Sequence, residues 1–261
     1  MSDLKLYTRY ISILIRGQLQ YRASTISLFF GQMLHTFIYY LSAIFMFGFF
    51  GQLQGWTFWE VMLCTAAVHI AYPLAECLAR GFDSFRQLIR NGSFDTLLLR
   101  PRNIFLQVFG SRFELSRAGR LAQGLIMTAL AAANCRIDWT AGKVGLYLLM
   151  ILSGTVIFMG VFILGATLCF WTVKGLEVVN IFTDGGRELS QYPYEIYKKP
   201  YLIFFTCLVP YASAFYWPLL YLTGRSASPW CWAAPVFAML FIVPACLIFR
   251  LGVRHYTSTG S

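Results

Sequence analysis

Residues 23–59 contain no Lys, Arg, Asp or Glu, and this uncharged run limits the possible folds more than any other feature of the chain. A helix that crosses the hydrocarbon core of a bilayer needs roughly 20 apolar residues. The stretch Gly51-Gln-Leu-Gln-Gly55 interrupts the run near its end. We therefore predict a first membrane span at about 26–50 and a second from the interruption to about Cys77.

Four further apolar runs predict four further spans. The third covers 121–135 and is extended at its start by a helical pattern from Arg112. Arg117 and Arg120 must then lie at the end of this span or extend to the membrane interface. The last three predicted spans are 144–173, 200–224 and 226–249.

The composition agrees with a chain that lies mostly in a membrane. Charged residues make up only 12% of the sequence and hydrophobic residues 58%, and the charged fraction is about half that of a soluble domain. No hydrophilic block is long enough to fold separately. The predicted fold is all-α, a polytopic membrane protein with six transmembrane helices in a single domain, 1–261.

Basic residues predict the orientation of the chain. With both termini in the cytoplasm, the inner segments would be 1–25, 79–120, 174–199 and 250–261. Basic residues concentrate in cytoplasmic loops, so this distribution is the expected one. The net charge of +10 is therefore explained by topology and the lipid bilayer rather than by nucleic-acid binding. Only three of the 21 Lys and Arg residues would lie in outer loops: Arg136, Lys143 and Arg225.

Residues 1–22 are predicted to form a basic amphipathic helix. Leu4, Tyr7 and Ile11 share one helical face, whereas Lys5 and Arg9 share another. Such a helix is expected to lie in the cytoplasmic interface before the chain turns into the first span.

The sequence lacks the motifs of an enzyme. It contains no G-x-x-x-x-G-K-[ST] phosphate loop and no G-x-S-x-G nucleophile elbow. Its seven cysteines show no metal-binding spacing, so no metal is expected. Cys135 and Cys231 both fall near the predicted outer face, which leaves a disulfide between them open. No catalytic function is predicted for this chain.

Two histidines lie at similar depth in the first two predicted spans. His35 and His69 are each about nine residues from the cytoplasmic end of their span, and they could face each other or a shared cavity. Intramembrane ionisable residues are candidate functional residues. Two interpretations stay open: neutral histidines that hydrogen-bond between helices, or the proton relay of a secondary carrier.

Two longer polar segments, 79–111 and 174–199, are predicted to lie in the cytoplasm. In the first, a short helix ends at a turn formed by Asn91 and Gly92, and Ser93 is expected to cap a second helix that stops before Pro101. Short helices parallel to the membrane on one side are suited to receive force from a soluble motor.

Three motifs resemble those of a known family. Gly92 to Pro101 has the pattern G-x-F/L-D-x-x-L-x-R-P, and Arg187 to Tyr197 has the pattern R-E-x-x-x-Y-P-x-x-I-Y. The tail, Gly252 to Gly260, has the pattern G-x-x-x-Y-x-S-x-G. In this order and spacing the motifs resemble the permease subunits of type 2 ABC transporters, in the exporter-type family that includes proposed viologen and peptide exporters.

The resemblance implies an architecture and partners. Such permeases have an N-terminal elbow helix, here 1–22, six spans and a re-entrant turn before the last span. The re-entrant turn would fall in the later part of 201–229, although an ordinary proline-kinked helix stays open. The permeases act as dimers in the bacterial cytoplasmic membrane, on two cytosolic ATPase subunits that bind ATP and Mg, so this chain needs no cofactor of its own. The residues expected along the translocation path are His35, His69, Pro210 and Pro218.

The resemblance also implies docking residues for the ATPase, on short helices around 84–100 and 176–197. The docking residues of the first segment offer a projecting apolar side chain, charged groups and the fixed backbone bend of a proline. The sequence indicates neither the substrate nor whether the dimer pairs two identical permeases, and the direction of transport rests on the family alone. The predicted docking residues are Phe94, Asp95, Arg100, Pro101, Glu188, Tyr192 and Pro193.

Overall fold

The computed structural model describes residues 3–172 and 176–257, and their regular structure is helical throughout apart from one isolated bridge between Leu53 and Trp56. Parts of three predicted features lie outside the described residues. These are 1–2 of the amphipathic helix, 173–175 where the fourth span meets the second polar segment, and 258–260 of the tail motif.

Thirteen α-helices and two 3₁₀ turns make up the described chain. The turns cover Leu115–Arg117 and Tyr194–Ile196. The α-helices are α1 (Asp3–Gln20), α2 (Arg22–Phe50), α3 (Phe58–Asp83), α4 (Phe85–Arg90), α5 (Ser93–Leu98), α6 (Ile104–Phe109), α7 (Ala118–Asn134), α8 (Ala141–Leu168), α9 (Leu176–Ser190), α10 (Lys199–Cys207), α11 (Tyr211–Leu222), α12 (Trp230–Met239) and α13 (Ile242–His255).

Four of the described helical stretches are long and apolar enough to cross a membrane: α2, α3 with α4, α8, and α12 with α13. A fifth is added if α10 and α11, which meet at a bend of 109°, count as one. The third predicted span corresponds to α7, which has 17 residues. The predicted amphipathic helix corresponds to α1, which ends at Gln20.

Helix α3 lies at the centre of the fold. Its start is fixed by a capping box, in which Glu60 and Thr57 bond reciprocally to each other's backbone amides. Most of its residues are buried among α7, α8, α9 and α11. Close packing with α7 depends on Gly124, because a Cβ atom there would lie 2.8 Å from the Ile70 side chain and 3.1 Å from the His69 carbonyl oxygen.

Helix α9 and the 3₁₀ turn after it run antiparallel to α3 for nearly its whole length. At the Asp83 end of α3, Asp83 lines a small pocket together with Val179 and Asn180 of α9. Midway along α3, Tyr72 donates a 3.4 Å hydrogen bond to Asp184. Further along, the Thr65 hydroxyl donates to the Gln191 carbonyl at 3.0 Å. At the Trp56 end, the Trp56 indole donates to Glu195 at 2.9 Å.

The described part of the second polar segment, 176–197, passes from the Asp83 end of α3 to the Trp56 end. The cytoplasmic location of 174–199 stays a prediction. The charged residues of this segment suggested a solvated surface. Within the fold, however, Arg187 pairs with Asp184 and Glu188 on the same helix and lies against the aromatic rings of neighbouring helices.

Helices α10 and α11 form a hairpin rather than a straight span over 200–224. The Tyr211 hydroxyl, just after the bend, donates to the Phe182 carbonyl at 2.8 Å. The Tyr216 hydroxyl donates to Glu195 at 2.7 Å, and the Arg225 guanidinium lies 3.9 Å from the centre of the Trp56 ring. The chain therefore returns to the Trp56 end from which α10 started.

Candidate functional site

A buried aromatic cluster anchors the short helices α4 and α5. The side chain of Phe94 is 0% exposed. Its ring centre lies 4.9 Å from that of Phe85, 5.6 Å from Phe170 after α8, and 5.1 Å from Tyr256 after α13. Phe94 is therefore not the exposed knob that its position in a polar loop suggested, and it fixes α5 to the ends of two long helices.

The local sequence explains why α5 begins where it does. Gly92 precedes the helix with a φ of 63°, a left-handed conformation that glycine adopts without steric cost. Ser93 is the first helical residue, so the prediction that it caps the helix is wrong. Asp95 lies in the first turn, as expected for a carboxylate near a helix N-terminus.

The chain that follows α5 forms an exposed surface, residues 98–102. Leu99 is 83% exposed, and Leu98 is exposed as well. Both arginines of the segment and Pro101 are also exposed, whereas Asp95 is half-buried. Of the docking residues predicted in this segment, Arg100 and Pro101 are thus fully accessible to a partner, while Phe94 is not.

The 98–102 surface is tied to the helices beneath it. The buried side chain of Gln107 in α6 donates hydrogen bonds to the carbonyl oxygens of Leu97 and Arg102, each at 3.1 Å. At the other face of α6, Gly81 of α3 leaves no room for a side chain against the Val108 backbone. The 98–102 surface is therefore packed through α6 against α3.

The second set of predicted docking residues lies elsewhere. Glu188 accepts hydrogen bonds from Arg187 at 2.8 Å and from Gln191 at 3.0 Å. Tyr192 and Pro193 follow further towards the Trp56 end of α3, away from the 98–102 surface. The fold does not bring the two sets together.

A buried network of charges joins α3 to the start of α7, and sequence reasoning missed it. The side chain of Glu76 is only 4% exposed. Its carboxylate pairs with Arg80 at 3.4 Å, Arg117 at 3.3 Å and Arg120 at 3.2 Å. The sequence did contain a signal for this network. Glu76 and Arg80 are four residues apart, and Arg117 and Arg120 are three residues apart, so each pair lies on one face of a helix.

Glu114 completes this network from the loop before α7. It accepts from Arg80 at 3.0 Å and Arg117 at 2.9 Å, and it pairs with Arg112 at 3.6 Å. Burial alone would raise the pKa of Glu114, but the neighbouring Arg80 and Arg117 outweigh it, so the pKa is lowered. The carboxylate therefore stays ionised at neutral pH and holds the arginines in place.

His35 and His69 line the same narrow cleft, which has room for about one water molecule. The Tyr39 ring lies between them, 5.6 Å from His35 and 5.4 Å from His69 between ring centres. His69 is buried and His35 exposed. The other residues that line the cleft are Thr36, Tyr72, Pro73, Arg120 and Arg187.

Neither proline of the predicted translocation path lines this cleft. Pro210 lies at the bend between α10 and α11, where it precedes the first residue of α11. Pro218 is buried inside α11. Both belong to the hairpin of α10 and α11.

Comparison with known protein families decides the class. The family model of the ABC-2 family transporter proteins matches residues 13–260, almost the whole chain. The chain belongs to this family. No curated protein and no solved structure shows a significant match to it.

Membership of the ABC-2 family confirms the predicted resemblance to type 2 ABC permeases. The protein is a multi-pass membrane protein and a permease component of an ABC transporter, a class that works with an ATPase. Members of this family are membrane transport components and are generally non-catalytic. Cys135 and Cys231 of this permease are both free, so the structure contains no disulfide between them.

Proposed function

We propose that this permease is one half of the translocation path of an ATP-driven exporter and that a separate cytosolic ATPase drives it through the 98–102 surface. One observation carries the proposal. An exposed surface of leucines and arginines sits on a buried aromatic cluster that includes the ends of α8 and α13. Such a surface can bind a partner and pass its movement inwards.

The aromatic cluster supplies the mechanical connection. Phe85 contacts Phe94, Phe170 and Phe249 through ring centres 4.9 to 5.6 Å apart. Protein interiors are close-packed and transmit displacement rather than absorb it. Closure of the ATPase on ATP would therefore shift α3, α8 and α13 together. ATP and Mg are bound by the ATPase, and this chain supplies the 98–102 surface on which the ATPase docks.

The contacts of α9 support a topology with six crossings. These would be α2, α3, α7, α8, α9 with the 3₁₀ turn, and α12 with α13. The hairpin of α10 and α11 would then be re-entrant from the outer side, at the Trp56 end. Lys198 and Lys199 move outside in this topology, but most basic residues stay at the Asp83 end with both termini, as the positive-inside rule requires. A bacterial cytoplasmic membrane is the proposed location.

The open face of α2 supports a dimer. Large apolar side chains of α2, among them Phe30, Leu34 and Phe45, are more than half exposed in the single chain. A second permease, identical or related, would cover part of this face, with lipid covering the rest. The cleft with His35 opens on the same helix, so the path would run between the two permeases.

Charge reversal on the 98–102 surface tests the proposal. The double variant Arg100→Glu/Arg102→Glu should lower co-purification of the cognate ATPase roughly tenfold. The reason is that a surface of the ATPase complementary to the two arginines would be negatively charged and would repel the introduced carboxylates. Arg9→Glu, an equally exposed reversal on α1, is the matched control and should change association less than about twofold. Undiminished association and ATPase stimulation in the double variant would remove the docking role.

A proton-coupled secondary carrier is the alternative, and the shared cleft of His35 and His69 is the observation that favours it. The two functions differ in energy source. Transport that persists in ATP-depleted vesicles under an imposed proton gradient, and that is lost in His69→Gln, would support the carrier. Transport that requires ATP would support the exporter.

A further inference from the structure

Helix α1 lies beside the end of the molecule that the proposed topology places in the cytoplasm. The Tyr7 hydroxyl donates a 3.3 Å hydrogen bond to the Leu78 carbonyl, near the Asp83 end of α3. At the other end of α1, only Tyr21 separates it from α2, which is long and apolar enough to cross the membrane. In the proposed topology α1 is therefore held at the level of the lipid head groups of the inner leaflet.

One side of α1 is occupied by the protein itself. The Gln18 side chain donates to the Phe113 carbonyl at 2.6 Å and accepts from the Leu115 amide at 2.8 Å. Tyr10 packs against Gly110, where an added Cβ atom would lie 2.6 Å from the tyrosine ring. An amphipathic helix on a membrane ordinarily buries its apolar side in lipid. In this protein the loop before α7 covers much of that side, and α1 turns its other side outwards.

The side that α1 turns outwards is basic. None of the ion pairs among the described residues involves its three cations. Glu114, in the loop on which α1 packs, is already engaged by three arginines from elsewhere in the fold. The positive charges of α1 are therefore open to an anionic partner. The exposed residues of this side follow one another at helical spacing: Lys5, Arg9, Ser12 and Arg16.

A groove runs along α1 beside this basic row. Its volume is about 380 Å³, which is within the range of sites for small ligands. Half-buried Ile11 and Ile15 give the groove apolar lining, and Tyr7 adds an aromatic ring. Ser12 and Arg16 belong both to the groove and to the basic row. Apolar side chains next to a cation and a hydroxyl suit a molecule with a hydrocarbon chain and an anionic head.

We propose that this groove binds an anionic phospholipid of the cytoplasmic leaflet. Arg16 and Ser12 would donate to the phosphate of its head group, and Ile11 and Ile15 would contact an acyl chain. The cytoplasmic leaflet is negatively charged and attracts basic segments that lie close to the membrane. A zwitterionic lipid also has a phosphate, but its ammonium group would be repelled by the basic row. The inference goes beyond the proposed function, because it assigns a ligand to α1, which has no part in the 98–102 surface.

The groove is connected to the spanning helices through the loop before α7. Gln18 of α1 bonds on either side of Glu114. Glu114 in turn pairs with Arg80 of α3 and with Arg117 at the start of α7. A lipid bound along α1 therefore lies on an element that is fixed to the buried network of charges.

Binding of a soluble anionic lipid to the full-length permease in dodecyl maltoside tests this inference. The probe is radiolabelled dioctanoyl phosphatidylglycerol, and dioctanoyl phosphatidylcholine is the zwitterionic lipid of equal chain length. The wild-type permease should bind the probe saturably, and an excess of the zwitterionic lipid should not displace it. Arg16→Gln should weaken binding roughly tenfold, since it removes one charge-assisted interaction.

Arg22→Gln is the matched control. Arg22 is exposed near the same end of the molecule and loses the same charge, but it does not line the groove. It should change the affinity for the probe less than about twofold, because salt screens charges outside the site. Equal affinity in wild type and Arg16→Gln would overturn the proposal. So would equal displacement of the probe by the anionic and the zwitterionic lipid, a result that needs no variant to fold.

Inorganic phosphate separates a lipid site from a site for a free anion. An excess of phosphate should leave the probe bound, because contact of the acyl chain with the groove supplies part of the affinity. Displacement by phosphate as effective as that by unlabelled phosphatidylglycerol would overturn the assignment to a lipid. The assay contains no ATPase, so its failure leaves ATPase docking untouched, and failure of the docking test leaves this affinity untouched.

Discussion

At the scale of single residues, the loss of the Glu76 carboxylate should have a large energetic consequence. This buried carboxylate contacts three arginines, so its loss leaves cations buried without a full complement of anions. Removing one partner of a buried pair costs about 3–5 kcal/mol. Glu76→Gln should therefore lower the thermal unfolding temperature of the detergent-purified permease clearly, whereas Asp138→Asn, the same change at an exposed loop position, should leave it within error. Equal unfolding temperatures would show that the arginines find other partners.

Phe94 shows what a sequence can and cannot reveal about a residue. The motif from Gly92 to Pro101 singled out this segment, and the turn at Gly92 and the break at Pro101 followed from glycine and proline geometry. The direction of the Phe94 side chain did not follow. It depends on Phe170 and Tyr256, which are more than 70 residues away in the sequence, and local patterns contain no information about such contacts.

At the scale of the element, helix α5 has a buried anchor, Phe94, and is followed by an exposed surface residue, Leu99. Phe94→Ala opens a cavity in the aromatic cluster and should destabilise the permease by about 3–5 kcal/mol. Leu99→Ala, on the exposed surface of the same segment, should change stability by less than about 0.5 kcal/mol, while weakening ATPase association. Chemical denaturation and co-purification of the two variants measure both effects. A Phe94→Ala variant as stable as the wild type would mean that α5 is not anchored by this cluster.

Helix α9 is the element whose packing inside the fold the sequence indicates least clearly. Long uncharged runs identified α2, α3 and α8, because hydropathy over about 20 residues is sufficient for a helix that faces lipid. In contrast, α9 has 15 residues and carries Asp184, Arg187 and Glu188. Its charges are accommodated by ion pairs and by the rings of Tyr39 and Tyr72. Hydropathy averaged along the sequence of α9 cannot reveal partners that belong to other helices.

At the scale of the whole molecule, α9 decides the topology, and cysteine labelling tests it. With α9 as a crossing, Lys198 lies on the outer side with Lys143, whereas Arg100 lies in the cytoplasm. In a variant without its native cysteines, a membrane-impermeant maleimide added to intact cells should label Lys198→Cys and Lys143→Cys. It should label Arg100→Cys only after permeabilisation. Protection of Lys198→Cys in intact cells would return 174–199 to the cytoplasm and would make the hairpin of α10 and α11 a crossing. The contacts from Val179 to Glu195 along α3 favour the first result, because a segment that follows a spanning helix from end to end must itself cross the membrane.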